Sequence, residues 1–155
     1  MKTAPCRILL VEDDREMLQL VQEYLEGEGH SVTPAGLGAE AIARLKAESF
    51  DIVLTDLSLP GADGLAILAC AKQASPDTKV LIMTAYASTE TAVAALRQGA
   101  SDYLTKPFQP DDVLNRIGHL ARLRSVELEN RALKRHLAGL GERPIVDSNR
   151  SVQVG

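Results

Sequence analysis

Basic residues are in the minority. The chain carries 17 Lys and Arg against 21 Asp and Glu, a net charge of −4. A domain that grips nucleic acid needs an excess of cations to meet the phosphates, so direct nucleic-acid binding is not expected. Aromatic residues are scarce too, with three Tyr, two Phe and no Trp. That removes the stacking platforms that hold single strands. The two cysteines, Cys6 and Cys70, lie far apart, which excludes a disulfide scaffold and a CxxC metal or redox site. They read as ordinary thiols of a cytoplasmic protein. No run reaches the roughly 18 apolar residues of a membrane span, so no membrane role is expected. Met1 to Cys6 lacks the long apolar stretch of a signal peptide. What is present is 155 residues, 45% of them apolar, enough for one buried core and an additional element.

The hydrophobic pattern alternates between two periods. Arg7-Ile8-Leu9-Leu10-Val11, Asp51-Ile52-Val53-Leu54-Thr55 and Lys79-Val80-Leu81-Ile82-Met83 are short continuous apolar runs. Such runs mark strands buried on both faces. His30 to Ala35 predicts a further strand, placed at a sheet edge because Pro34 cannot donate to a ladder. Ser101 to Leu104 predicts the last one. Helical spacing falls between them. Met17 to Leu25 ends at Gly27 and Gly29, and Ala39–Ala47, Gly64–Gln73 and Glu90–Gln98 follow. A long helix begins near Gln109 or Pro110. Strands separated by helices pair in parallel through right-handed crossovers. The expected fold is α/β: a flavodoxin-like, doubly wound, five-stranded parallel sheet in the order 2-1-3-4-5, with an extended C-terminal helix.

Such sheets bind ligands beyond the carboxyl ends of their strands, where the strand order reverses between strands one and three. Strand one ends in Glu12-Asp13-Asp14 and strand three in Asp56. Strand four ends in Thr84, and strand five leads into Lys106. Two unit charges about 4 Å apart repel by about 4 kcal/mol at an effective dielectric near 20. A nest of carboxylates therefore calls for a cation, and an all-oxygen site suits Mg²⁺. A carboxylate beside that ion is a nucleophile toward phosphorus. The metal and a lysine would neutralise a transferring phosphoryl group, and a threonine hydroxyl would bond one of its oxygens. A phosphate-cradling loop is missing: the residues after strand one are acidic, and no G-x-x-x-x-G-K-[ST] occurs.

Val11-Glu12-Asp13-Asp14, Asp56-Leu57-Ser58-Leu59-Pro60 with Gly64, Met83-Thr84-Ala85 and Lys106-Pro107-Phe108 resemble the signature of bacterial response-regulator receiver domains, whose fold is termed CheY-like. The resemblance covers about residues 5 to 122. It implies that Asp56 is the phosphoacceptor, served by the phosphohistidine of a sensor histidine kinase. It implies that Asp13 holds Mg²⁺ directly, Glu12 holds it through water, and the Ser58 backbone carbonyl completes the protein ligands. Lys106 would pair with the phosphoryl group, with a cis bond to Pro107. Thr84 would move to bond the phosphate, and Tyr103 would turn inward behind it. Ser58 and Tyr86 match the positions that tune autodephosphorylation. The stretch from Ser88 to Leu104 resembles the NtrC-type subgroup, activators in which a receiver precedes an AAA+ ATPase that remodels alternative-sigma-factor polymerase.

The last helix is expected to run to about Leu140. A heptad frame puts Leu123, Asn130 and Leu137 at a, and Val126, Leu133 and Leu140 at d. Asn at one a position fixes register and favours two strands. Arg122 would face Glu127 of a parallel partner, and Glu129 would face Lys134. The expected organisation is a receiver over 1–122, a coiled-coil dimerisation helix over 123–140 and, loosened by Gly139 and Gly141, a flexible linker over 141–155. The function expected is that of a response-regulator receiver that phosphorylates only itself and controls an output absent from the chain. The alternatives are a stand-alone receiver acting by protein–protein contact and, with less support, an aspartyl-phosphate phosphotransferase or phosphatase. Such enzymes commonly carry D-x-D at the nucleophile, whereas Asp56 is followed by Leu57-Ser58.

Overall fold

A strand with four consecutive apolar residues has no face to offer to water. In the computed structural model, which describes residues 4–59, 64–85 and 89–142, strand β1 (Arg7–Val11) buries all four. Strands β3 (Ile52–Asp56) and β4 (Lys79–Thr84) are buried along their whole length. The edges are β2 (Ser31–Ala35) and β5 (Asp102–Thr105), which are only partly covered. All four pairings are parallel, and the order is β2-β1-β3-β4-β5, as the pattern predicts. Pro34 stands opposite Leu10 on the edge strand, where its missing N–H is tolerated.

Among the described residues, five helices connect and follow the strands: α1 (Arg15–Gly27), α2 (Gly38–Ala47), α3 (Gly64–Ala74), α4 (Thr89–Arg97) and α5 (Pro110–Glu142). The strand period of two divides the core into two layers. Leu9, Val11, Val53 and Ile82 pack with residues of α2, α3 and α4. Ile8, Leu10, Leu54 and Met83 pack with residues of α1 and α5. Each fully buried Leu or Ile contributes about 1.5–3 kcal/mol. Helices therefore leave β1 and β3 toward opposite faces, which opens a crevice between the two strand ends.

Local signals account for most boundaries. Asp14 caps α1, its carboxylate accepting from the N–H groups of Glu16 at 3.0 Å and Met17 at 3.3 Å. Beyond the other end, Gly29 takes φ +94, a conformation that side chains rarely adopt. Several boundaries differ from the periodic pattern by one residue: β2 starts at Ser31, β3 covers Ile52–Asp56 and β5 covers Asp102–Thr105. Helix α5 continues through Gly139 and Gly141 to Glu142, because a glycine costs a helix only about 1 kcal/mol relative to alanine. The chain divides into two units, Met1–Arg124 and Ser125–Gly155. Of the expected linker 141–155, the part from 143 onward lies outside the described residues.

His30, expected as the first strand residue, instead anchors the start of β1. It is buried, and its Nδ1 accepts the Cys6 backbone N–H at 3.0 Å. Burial holds its pKa below the ordinary 6.5, against a weaker opposite pull from Glu28. The fold therefore favours neutral His30. This stabilisation is complete above the unfolded value of about 6.5 and is lost as the pH falls. Thermal melts between about pH 7.5 and about pH 5.5 should show a loss of stability that shrinks in His30→Gln. An equal loss in the two proteins would contradict this role.

Gly64 opens α3 directly under the end of β3. Its N–H donates to the Leu57 carbonyl at 2.8 Å. A Cβ there would sit 2.5 Å from the Asp56 carbonyl oxygen and 2.7 Å from the Leu57 Cα. Both are backbone atoms, so only a shift of the turn after Asp56 relieves the clash. Gly64→Ala should lower the urea-unfolding stability by about 1–3 kcal/mol and disturb the carboxylate of Asp56. An unchanged midpoint would show that the turn yields freely.

Candidate functional site

Backbone bonds fix where each strand end releases its side chain. The Glu12 N–H donates to the Ala35 carbonyl at 3.1 Å, the Leu57 N–H to Met83 at 3.0 Å and the Lys106 N–H to Thr84 at 2.8 Å. Glu12 and Asp13 follow β1, Asp56 ends the neighbouring β3, and Thr84 ends β4. Lys106 follows β5 by one residue, and its peptide bond to Pro107 is cis. Segments far apart in sequence thus deliver their polar groups to one end of the sheet.

The side chains converge there. One carboxylate oxygen from each of Glu12, Asp13 and Asp56 falls within 4.8 Å of the others. Lys106 Nζ lies 2.5 Å from Glu12 Oε1 and 2.7 Å from Asp56 Oδ2. The second oxygen of each acid is also engaged. Glu12 Oε2 accepts the Asp14 N–H at 3.0 Å, and Asp56 Oδ1 accepts the Ser58 N–H at 3.1 Å. Glu12 is 1% exposed and Asp56 7%, whereas Asp13 faces water.

Electrostatics follow from this burial. Loss of solvent raises the pKa of Glu12, opposed by its hydrogen bond to Lys106. Burial works against the charge on Lys106, but hydrogen bonds to Asp56 and Glu12 outweigh it and raise its pKa. The carboxylate nest was expected to need a cation. The structure shows that Lys106 already supplies one positive charge from within the chain. Three carboxylates against one ammonium still leave the cluster negative, with Asp13 open to solvent. An all-oxygen group of this kind fits a hard divalent cation.

Thr84 is buried beside this end of the sheet. Tyr103 is half-buried and packs against the layer that contains Ile82 and Ala95. Ser58 is exposed, and its main-chain N–H rather than its side chain touches Asp56. Residue patterns reveal side chains and not main-chain donors, so that contact had no signal in the sequence. Tyr86 lies outside the described residues. In α5 the apolar frame is open: Leu123 is 37% exposed, Val126 59%, Leu133 54% and Leu137 56%. Asn130 is exposed on the same helix, and Leu140 lies within it.

Comparison with known proteins agrees with this geometry. Residues 8–118 match the family model described as the response regulator receiver domain. The transcriptional regulatory protein ZraR of Escherichia coli (strain K12) is 40% identical over 127 residues, covering 81% of this chain and 29% of its own length. The C4-dicarboxylate transport transcriptional regulatory protein DctD of Rhizobium meliloti (strain 1021) is 33% identical over 135 residues, covering 87% and 29%. The chain thus spans less than a third of these curated relatives. Among solved structures, a CheY-like receiver domain protein from Methanospirillum hungatei JF-1 superposes with TM-score 0.77 at 35% identity, covering 80% of this chain and 99% of that one. NtrX from Brucella abortus in complex with ADP superposes with TM-score 0.78 at 30% identity, covering 83% and 30%. A parallel sheet of this order, an acid cluster with a lysine across it and a family match over most of the chain lead to one assignment: the chain belongs to the response regulator receiver domain family, and it is a receiver of the NtrC type.

Proposed function

We propose that Asp56 accepts a phosphoryl group from the phosphohistidine of a sensor histidine kinase. The observation that carries this is the placement of Lys106 Nζ between Asp56 and Glu12, with Asp13 at the open side. An Asp56 carboxylate oxygen attacks phosphorus. The new O–P bond forms as the P–N bond breaks, and the imidazole nitrogen leaves with the electron pair. Asp13, Asp56 and the Ser58 carbonyl would hold Mg²⁺, with Glu12 acting through water. When bound, the ion supplies positive charge against the phosphoryl oxygens.

Lys106 exchanges a carboxylate partner for the phosphoryl group, and the Thr84 hydroxyl bonds one of its oxygens. Tyr103 then turns inward. Ser58 and Tyr86 tune the rate of self-dephosphorylation. The chain acts on itself and turns over no separate substrate. Its kinase partner presents the phosphohistidine in the cytoplasm. Among the described residues, no helix is long and apolar enough to cross a membrane.

The open frame of α5 at Leu123, Val126, Asn130, Leu133 and Leu137, with Leu140 the next d position in sequence, supports a parallel homodimer. Phosphorylation at Asp56 would change how two receivers sit on that helix pair. The controlled output is a transcription-activating AAA+ domain of the kind NtrC-type regulators carry.

Incubation with Mg²⁺ and acetyl phosphate, followed by intact mass, tests the chemistry. The wild type should gain one phosphoryl group, and Asp56→Ala none. A wild type that stays unmodified would overturn the proposal. Sedimentation of the same samples should show a dimer at tens of micromolar. A monomer in both states would remove the homodimer while leaving the phosphoacceptor in place.

A further inference from the structure

Strand β5 is the last strand of the sheet, so among the described residues one of its sides has no neighbouring strand. The Lys106 N–H bonds to Thr84 on the inner side. Backbone alternation then turns the Tyr103 peptide groups outward. An open edge of this kind invites pairing with another chain unless something covers it.

Here two side chains do so. The Tyr103 N–H donates to Asp102 Oδ1 at 2.8 Å. Arg116 Nη1, from α5, donates to the Tyr103 carbonyl at 2.6 Å and lies 2.9 Å from Asp102 Oδ2. The result is a closed ring: Tyr103 N–H to one oxygen of Asp102, the other oxygen to Arg116, and Arg116 back to the Tyr103 carbonyl. Both peptide groups of Tyr103 are occupied, and the strand is joined to α5 by a guanidinium.

The two elements so joined matter for the site. Lys106, on Asp56 and Glu12, follows β5 by a single residue. Helix α5 begins four residues beyond Lys106 and runs past the receiver unit. We propose that Asp102 and Arg116 form a clip that closes the sheet edge at Tyr103 and fastens the strand leading to Lys106 onto α5. Arg116 is then a positioning residue, through which a movement of β5 reaches α5. Only this coupling step rests on the phosphoacceptor role of Asp56; the clip itself does not.

Hydrogen exchange on the full chain tests both parts, in wild type, Asp102→Ala, Arg116→Met and Arg116→Lys, with and without beryllofluoride plus Mg²⁺. Without beryllofluoride, the Tyr103 amide should exchange about tenfold faster in Asp102→Ala than in the wild type. Equal protection overturns the clip. If Asp102→Ala fails to fold, Asp102→Asn replaces it. That variant keeps an acceptor for Tyr103 but loses the charge facing Arg116, so faster exchange over 113–121 supports the clip and unchanged exchange overturns it.

With beryllofluoride, exchange in wild-type α5 should change. Arg116→Met should load beryllofluoride at the wild-type midpoint and lose that change, and Arg116→Lys should recover part of it. An unaltered α5 response in Arg116→Met overturns the coupling, as does a wild type that loads beryllofluoride with no response in α5. A wild type that fails to load it overturns the phosphoacceptor role and the coupling built on it. The clip then stands or falls on Tyr103 protection alone.

Discussion

Buried charge at the carboxyl end of the sheet is the constraint on which the rest depends. Parallel pairing makes β1 and β3 neighbours, so the acids that follow them meet whether or not they attract. Glu12 and Asp56 are both almost fully shielded from water. Leaving one charge of a buried pair uncompensated costs about 3–5 kcal/mol. Lys106 offsets this from across the crevice, and the Asp14 and Ser58 amides occupy the remaining oxygens. The cluster remains negative and opens to solvent at Asp13. That is the condition under which an added divalent ion is attracted without the metal-free fold collapsing.

The scaffold explains how such a cluster persists. Three central strands buried along almost their whole length resist local rearrangement, because two packed apolar layers hold them. The turn after Asp56 is pinned more closely still, with Gly64 against main-chain atoms on one side and Leu57 bonded to Met83 on the other. Lys106 stands at the far edge of the site. It follows a partly exposed edge strand, and its contacts to Asp56 and Glu12 are side-chain contacts.

Much of this was legible in the residues. Continuous apolar runs mark strands covered on both faces, and Pro34 marks an edge, so strand order followed from sequence. The positions of Glu12, Asp13, Asp56, Thr84 and Lys106 at strand ends then placed them on one rim. Other features have no pattern to read. The capture of the Cys6 amide by His30, the Ser58 amide on Asp56 and the Arg116 bond to Tyr103 all join a side chain to a main-chain group. Such bonds depend on three-dimensional approach, and nothing in residue type or spacing announces them. The helix through Gly139 and Gly141 illustrates a different limit, in which a local propensity of about 1 kcal/mol per glycine is too small to end an element.

The central claim is that Glu12, Asp13 and Asp56 form one cation-seeking site sharing Lys106. A Mg²⁺ titration followed by amide NMR tests it most directly. Amides of residues 12–14, 56–58 and 106 should shift along a single binding curve, and Asp13→Asn should weaken that binding about tenfold or more. Shifts scattered over the surface acids of α1 and α5, with a midpoint unchanged in Asp13→Asn, would contradict it.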